Sequence, residues 1–213
     1  EKRPDVRANK HARKVKVTVF GWKIWLVFEP VSKLPLAMKI DGINVADNEH
    51  AYEVLAQARA NVEGHATLRS VALDRGFLDG KLLSRIGDEA GAIVYIPAKS
   101  NMTITADARE IARRAEALAA QGKTLEGSTY KERTEKVRRG SGKAATVEER
   151  TTTVVRIRDM ACDWWTKEGS TSAANSKKFQ PKLVNATVVL RWDGAPKDAE
   201  KEVVILDTDP SDD

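Results

Sequence analysis

Between residues 14 and 97 the spacing of apolar side chains switches from a period of two to a helical period, and that order limits the folds open to the chain. Val15, Val17 and Val19 alternate with Lys14, Lys16 and Thr18, as in a half-buried strand. Gly21 breaks the run. Residues 23–28 (Lys-Ile-Trp-Leu-Val-Phe) are β-branched and aromatic and predict an inner strand. Residues 29–33 make a turn containing Pro30, and residues 34–40 form a third strand, with Pro35 near its start, where proline is tolerated. An antiparallel meander is the simplest arrangement. Asp47 then suits the N-cap of a helix over 48–62, in which Tyr52, Leu55, Ala56, Arg59 and Val62 share helical spacing and Gly64 is the stop. A short apolar strand over 68–73 follows. Next come a helix over 79–89, with Leu82, Leu83 and Ile86 on one face and Gly91 beyond its end, and a strand over 92–96 closed by Pro97. The order β-β-β-α-β-α-β predicts an α/β fold with a mixed sheet, an antiparallel meander on one side and parallel crossovers on the other.

The pattern loosens after Lys99. Residues 106–121 read as an Ala/Arg/Glu-rich helix. Residues 131–143 hold six Lys/Arg against two Glu and end in Arg138-Arg139-Gly140-Ser141-Gly142-Lys143, which reads as an exposed loop. Residues 147–158 and 183–192 read as strands, separated by a polar stretch over 167–182. A last strand over 202–206 runs into Asp207-Thr208-Asp209-Pro210. No internal repeat is visible.

Composition narrows the function classes. At 213 residues and 41% hydrophobic, the chain supports one core with a smaller appended subdomain. No apolar run approaches the about 20 residues of a membrane span. The start (Glu1, Lys2, Arg3, Asp5, Arg7) is polar and of mixed charge, unlike a signal peptide, and a first residue of Glu reads as a piece of something longer. Cys162 is the single cysteine, so no internal disulfide forms and a reducing, intracellular setting is expected. His11, His50 and His65 lack metal-ligand spacing, which argues against a structural zinc site and a Ser-His-Asp triad. A net charge of +5 and a pI of about 9.3 permit a polyanionic partner without requiring one.

Leu73-Asp74-Arg75-Gly76-Phe77 carries the most chemistry. An acidic residue directly follows a buried-strand pattern, Gly76 lets the backbone turn, and a helix comes next. Ligands in open α/β sheets gather at the carboxyl ends of strands, where a carboxylate is placed to hold a metal ion. The plainer reading is a polar residue decorating a turn. Asp79 reads as the N-cap of the following helix, Asp41 and Asp47 read as caps, and Arg75 suits either a phosphate or an ordinary surface position. Trp164-Trp165 offers rings for stacking an extruded base, against the plainer reading of one ring in a core and one at the surface. Arg138, Arg139 and Lys143 suit the path of a phosphate backbone, against a solvated loop.

Taken in order, these segments resemble the catalytic core of bacterial insertion-sequence transposases of the DDE type, which have an RNase H-like fold. Phe20-Gly21-Trp22-Lys23 is similar to the family's strand-opening Gly-aromatic-Lys. Leu34-Pro35-Leu36 follows in place, 44–47 precedes the first helix, and Leu73-Asp74-Arg75-Gly76-Phe77 resembles the segment of the second catalytic Asp. Residues 92–101 match the strand after it, and 203–210 resemble the strand before the last catalytic helix. The resemblance implies an RNase H-like core over 1–101 lacking its first strand, a helical then β-rich insertion subdomain over 102–200, and a last core strand within 201–213. It implies metal-dependent cutting and joining of DNA ends, with Mg²⁺ or Mn²⁺ held by an Asp, Asp, Glu set of hard oxygen ligands. Only Asp74 matches that set, as a catalytic and metal-binding residue. Asp5, in Arg-Pro-Asp-Val-Arg, is a poor match to the first Asp. Tyr130 and Arg133 have the spacing of the family's Tyr-Arg-Glu-Lys signature, but Val137 stands at the Glu position. These 213 residues alone are therefore expected to be inactive. Implied partners are transposon-end DNA and, in the complete protein, a second copy. The implied location is the bacterial cytoplasm, on the nucleoid and away from membranes. The rival readings are a non-enzymatic DNA-binding or assembly module of RNase H-like shape and an RNase H-like nuclease.

Overall fold

Alternating apolar residues on either side of a tight turn produce the first element pair, β1 (Trp22–Phe28) and β2 (Pro35–Gly42). They pair antiparallel, with Ile24 opposite Ile40 and Leu26 opposite Met38. The Glu29 carboxylate accepts the Val31 and Ser32 amides and closes the turn, with Lys33 in the left-handed region at φ 60°. The computed structural model describes residues 20–139, 146–165, 181–192 and 203–211; the strand expected over 15–19 lies outside them. Among the described residues the hairpin is a two-stranded sheet of its own.

Helix α1 (Ala51–Val62) covers one face of the hairpin, where Trp25, Ala37, Val54 and Ala58 form a small core. It starts three residues later than the sequence suggests, with His50 rather than Asp47 at the N-cap and no side-chain cap bond. Strand β3 (Ser70–Ala72) leads through a single 3-10 turn (Arg75–Phe77) into α2 (Gly80–Ala90) and β4 (Ile93–Pro97). Asp79 caps α2 as expected, accepting the Leu82 amide at 2.9 Å, and Gly91 ends the helix at φ 64°. β3 and β4 are parallel, so β3-α2-β4 is the expected crossover.

Helix α3 (Thr103–Ala119) precedes the long antiparallel strands β5 (Ser128–Arg139), β6 (Thr146–Cys162) and β7 (Lys182–Trp192), and β8 (Val203–Asp207) follows. The second sheet runs β3-β4-β8-β7-β6-β5, with only the β3–β4 pair parallel. This mixed α/β architecture is compatible with an RNase H-like fold. Strands β5, β6 and β7 join β3 and β4 in this one sheet through β8. Small residues on α3 (Ala108, Ala112, Ala115) let it lie close against this sheet, over Val155, Ile157, Val184, Ala186 and Val188.

One expectation is overturned here. Residues 131–139 are not a loop but most of β5, paired residue for residue with β6 from Ser128↔Ile157 to Arg139↔Thr146. The pairing of β6 with β7 begins at Thr152↔Trp192. Among the described residues, 134–139 and 146–151 therefore pair only with each other and extend as a two-stranded ribbon. Lys143 lies outside the described residues, and Arg138 and Arg139 are described by their backbone alone.

Candidate active site

The site is built at the carboxyl end of β3. The Leu73 amide donates to the Tyr95 carbonyl at 2.9 Å and carries the parallel ladder one residue past the strand. Asp74 follows with an extended backbone (φ −72°, ψ 157°), and its carbonyl accepts the Phe77 amide at 3.0 Å to close the 3-10 turn. The Asp74 side chain makes no cap bond to that turn. Asp79 caps the following helix α2, and the Asp74 carboxylate is exposed with no partner among the described residues. Arg75 beside it is also exposed. β3 is an edge strand of its sheet, with β4 its one hydrogen-bonded neighbour among the described residues.

The turn after Asp74 rests against the hairpin side of the molecule. Phe77 packs on the cluster of Trp25 and Val54. A Cβ placed on Gly76 would fall 3.2 Å from Asp47 Oδ2, so the Asp47 carboxylate lies against the glycine. Asp47 is held in turn from β1. Lys23 Nζ meets its Oδ1 at 2.8 Å and also donates to the Val45 carbonyl, while Trp25 Nε1 donates to the Asp47 carbonyl at 2.6 Å. Asp47 is thus an ion-pair partner and not a helix cap. Sequence reading missed this role, although Lys23 stands in the Gly-aromatic-Lys segment and Gly76 in the Asp74 segment.

Other polar groups sit elsewhere. His50 bridges Asp41 (2.8 Å) and Glu53 (3.1 Å), and Lys39 pairs with Glu53, which ties the hairpin to α1. The Gly42 amide, followed by His50, holds Asp41 below its ordinary value, and Lys39 does the same for Glu53. At the end of β8, buried Asp207 receives both terminal nitrogens of Arg156 at 3.2 Å. Asn185 donates to Asp207 and to the Asp209 carbonyl, and the Tyr95 hydroxyl donates to the Asp209 carboxylate. Burial, aided by that bond, pushes the Tyr95 hydroxyl up to about 12, and the same bond lowers Asp209. The Tyr95 contribution to stability is present below its ordinary value of 10 and lost as pH rises toward 12; that of Asp209 is present above 3.8 and lost as pH falls through its folded value. The register sets Tyr95 beside Ala72, two residues before Asp74, and Asp207 beside Tyr95, so this cluster lies two strands in from the β3 edge. Among the described residues, no three His, Cys, Asp or Glu side chains gather to hold a metal ion.

The tryptophan pair requires a correction. Trp165 is fully buried in the main core, stacked on Trp164 with ring centroids 5.8 Å apart. A ring without exposed surface offers no face to an extruded base, so Trp165 is a core residue. Trp164 is half-buried against the same core and keeps part of its surface open.

No helix among the described residues is long and apolar enough to cross a membrane. No curated protein matches the sequence. A family model described as the transposase DDE domain matches residues 2–193, nearly the whole length, and is compatible with the mixed sheet described above. The chain belongs to the transposase DDE domain family.

Proposed function

We propose that the chain is the catalytic domain of a DNA transposase that cuts and joins transposon ends, with Asp74 as one carboxylate ligand of the divalent metal, Mg²⁺ or Mn²⁺. The observation that carries this reading is the Asp74 side chain, exposed at the carboxyl end of β3 and left out of the turn's own capping. A hard cation takes carboxylate oxygens, and an uncommitted carboxylate on a sheet end meets that need. When bound, the metal polarises the phosphoryl group and activates the attacking oxygen. The described residues fit as a source of one ligand and do not assemble a full set among themselves. The remaining ligands in this reading come from outside the described residues. Arg75, next to Asp74, serves the adjacent phosphate, and Arg138, Arg139, Lys143 and Trp164 make contacts farther along the DNA. The complete protein works as a homodimer on the bacterial nucleoid in this reading.

The test is cleavage of transposon ends by the complete transposase with Mg²⁺ and with Mn²⁺. Asp74→Ala lowers the rate by more than about a hundredfold, beyond what a change outside the ligand shell costs. The 213-residue chain assayed in parallel gives no cleavage. Cleavage unaffected by Asp74→Ala would sink the reading. The rival reading is a DNA-binding or assembly module without catalysis. That rival predicts binding of DNA ends with no cleavage by the complete protein.

A further inference from the structure

We infer that Asp47 is a positioning residue for Asp74, locked by Lys23 and Trp25 and acting on the catalytic turn through Gly76; the catalytic part of this inference rests on the reading of Asp74 given above. Two contacts from β1 fix Asp47, and a third fixes the chain just before it. Lys23 Nζ holds Oδ1 at 2.8 Å, Trp25 Nε1 holds the main-chain carbonyl at 2.6 Å, and Lys23 also grips the Val45 carbonyl two residues earlier. Trp25 is a buried core residue, so the carbonyl bond starts from a rigid anchor. Lys23 lies over the Trp25 ring at 5.5 Å, which restricts its rotamers. The free oxygen of Asp47, Oδ2, then lies against Gly76, two residues after Asp74.

Gly76 leaves little room for a Cβ, which would need a shift of a few tenths of an ångström. A methyl group there would stand 3.2 Å from Oδ2 and 3.9 Å from Cγ, so either Asp47 or the turn must give way. The carboxylate lies against the 3-10 turn at Gly76, and the next residue, Phe77, packs against both apolar clusters. Asp74 is exposed and makes no side-chain bond to its own turn, so its direction depends on the backbone of 74–77. Lys23 and Asp47 are 27% and 50% exposed at their side chains, and a pair that open adds little to global stability. Its effect is local, on the aim of one carboxylate.

The test has two arms. In the 213-residue chain, amide exchange of Phe77 and Leu78, whose N–H groups donate to the Asp74 and Arg75 carbonyls, is followed by NMR. Asp47→Ala and Lys23→Met are expected to speed both amides by about tenfold, with β4 and β6 unchanged, and Lys23→Arg is expected to keep the native rates. Gly76→Ala loosens the turn in the native background and has a smaller effect when combined with Asp47→Ala. Unchanged exchange at Phe77 and Leu78, or equal acceleration throughout the sheet, overturns the brace. In the complete transposase, Asp47→Asn is expected to lower end cleavage by about ten- to a hundredfold at an unchanged melting temperature. Native cleavage by Asp47→Asn, where Asp74→Asn is inactive, rejects the catalytic role of the brace alone. Native cleavage by Asp74→Asn rejects the reading of Asp74, while the exchange arm still decides whether Asp47 holds the turn.

Discussion

Arg156 reaches from β6 past β7 to Asp207 on β8, and it is the most demanding single side chain in the sheet. Its side chain is 13% exposed and that of Asp207 is 1%, so both charges are largely out of water. Two nitrogens go to the carboxylate, and one of them also serves the carbonyls of Asp209 and Ser211. The attraction of such a pair roughly offsets the cost of desolvating it, but removing one partner leaves a charge with only neutral hydrogen bonds. Arg156→Met should therefore cost about 3–5 kcal/mol in urea unfolding, and the double change Arg156→Met with Asp207→Leu should recover much of that. A loss below about 1 kcal/mol for the single variant would show that Asn185 and the Asp209 amide suffice for Asp207. Nothing local in the sequence marks this pair, because 51 residues separate the partners. Asp79 was legible because a cap bonds within its own helix; Asp47 was not, because its lysine is 24 residues earlier on another element.

At the scale of elements, β5 shows where pattern reading fails, whereas its partner β6 was expected over 147–158. A strand announces itself by alternation only when one of its faces is buried. Lys131, Glu132, Arg133, Thr134 and Lys136 are all exposed, so no face carried an apolar signal and charge alone was visible. By contrast β1, β2, α2 and β4 each bury one side and were found within a few residues. A two-stranded ribbon has the width to follow a DNA groove, with basic side chains meeting phosphates. Changing Arg133, Lys136, Arg138, Arg139 and Lys143 together to Gln in the complete transposase should flatten log affinity against log salt, by about 0.9 for each phosphate no longer neutralised. An unchanged slope would exclude the ribbon from the DNA interface.

Taken whole, the molecule buries its two sheets unequally. The six-stranded sheet has α3 on one face and a continuous core beneath it. The hairpin buries Trp25 and Ala37 under α1 and turns Trp22, Ile24, Leu26, Phe28, Met38 and Ile40 outward, each 51–78% exposed. Six large apolar groups on one small sheet face form an open patch of the kind that soluble monomers rarely show. The 213-residue chain should accordingly enhance ANS fluorescence while folded, and Ile24→Thr with Leu26→Thr and Met38→Thr should reduce that signal at an unchanged melting temperature. Equal dye fluorescence from both chains would place the exposed apolar surface elsewhere.

The place of β8 governs how the protein is made. β8 is the last described strand in sequence, yet it lies between β4 and β7 and provides the hydrogen-bonded link between the crossover half and the antiparallel half of the sheet. Until the ribosome has released residues 203–207, the nascent chain holds two part-sheets with facing unpaired edges. Neither edge has a lasting partner before then, because the strand that fits both is still to be translated. A message cut short before β8 would thus yield not a smaller working domain but a product with two adhesive edges, suited to disposal by proteases.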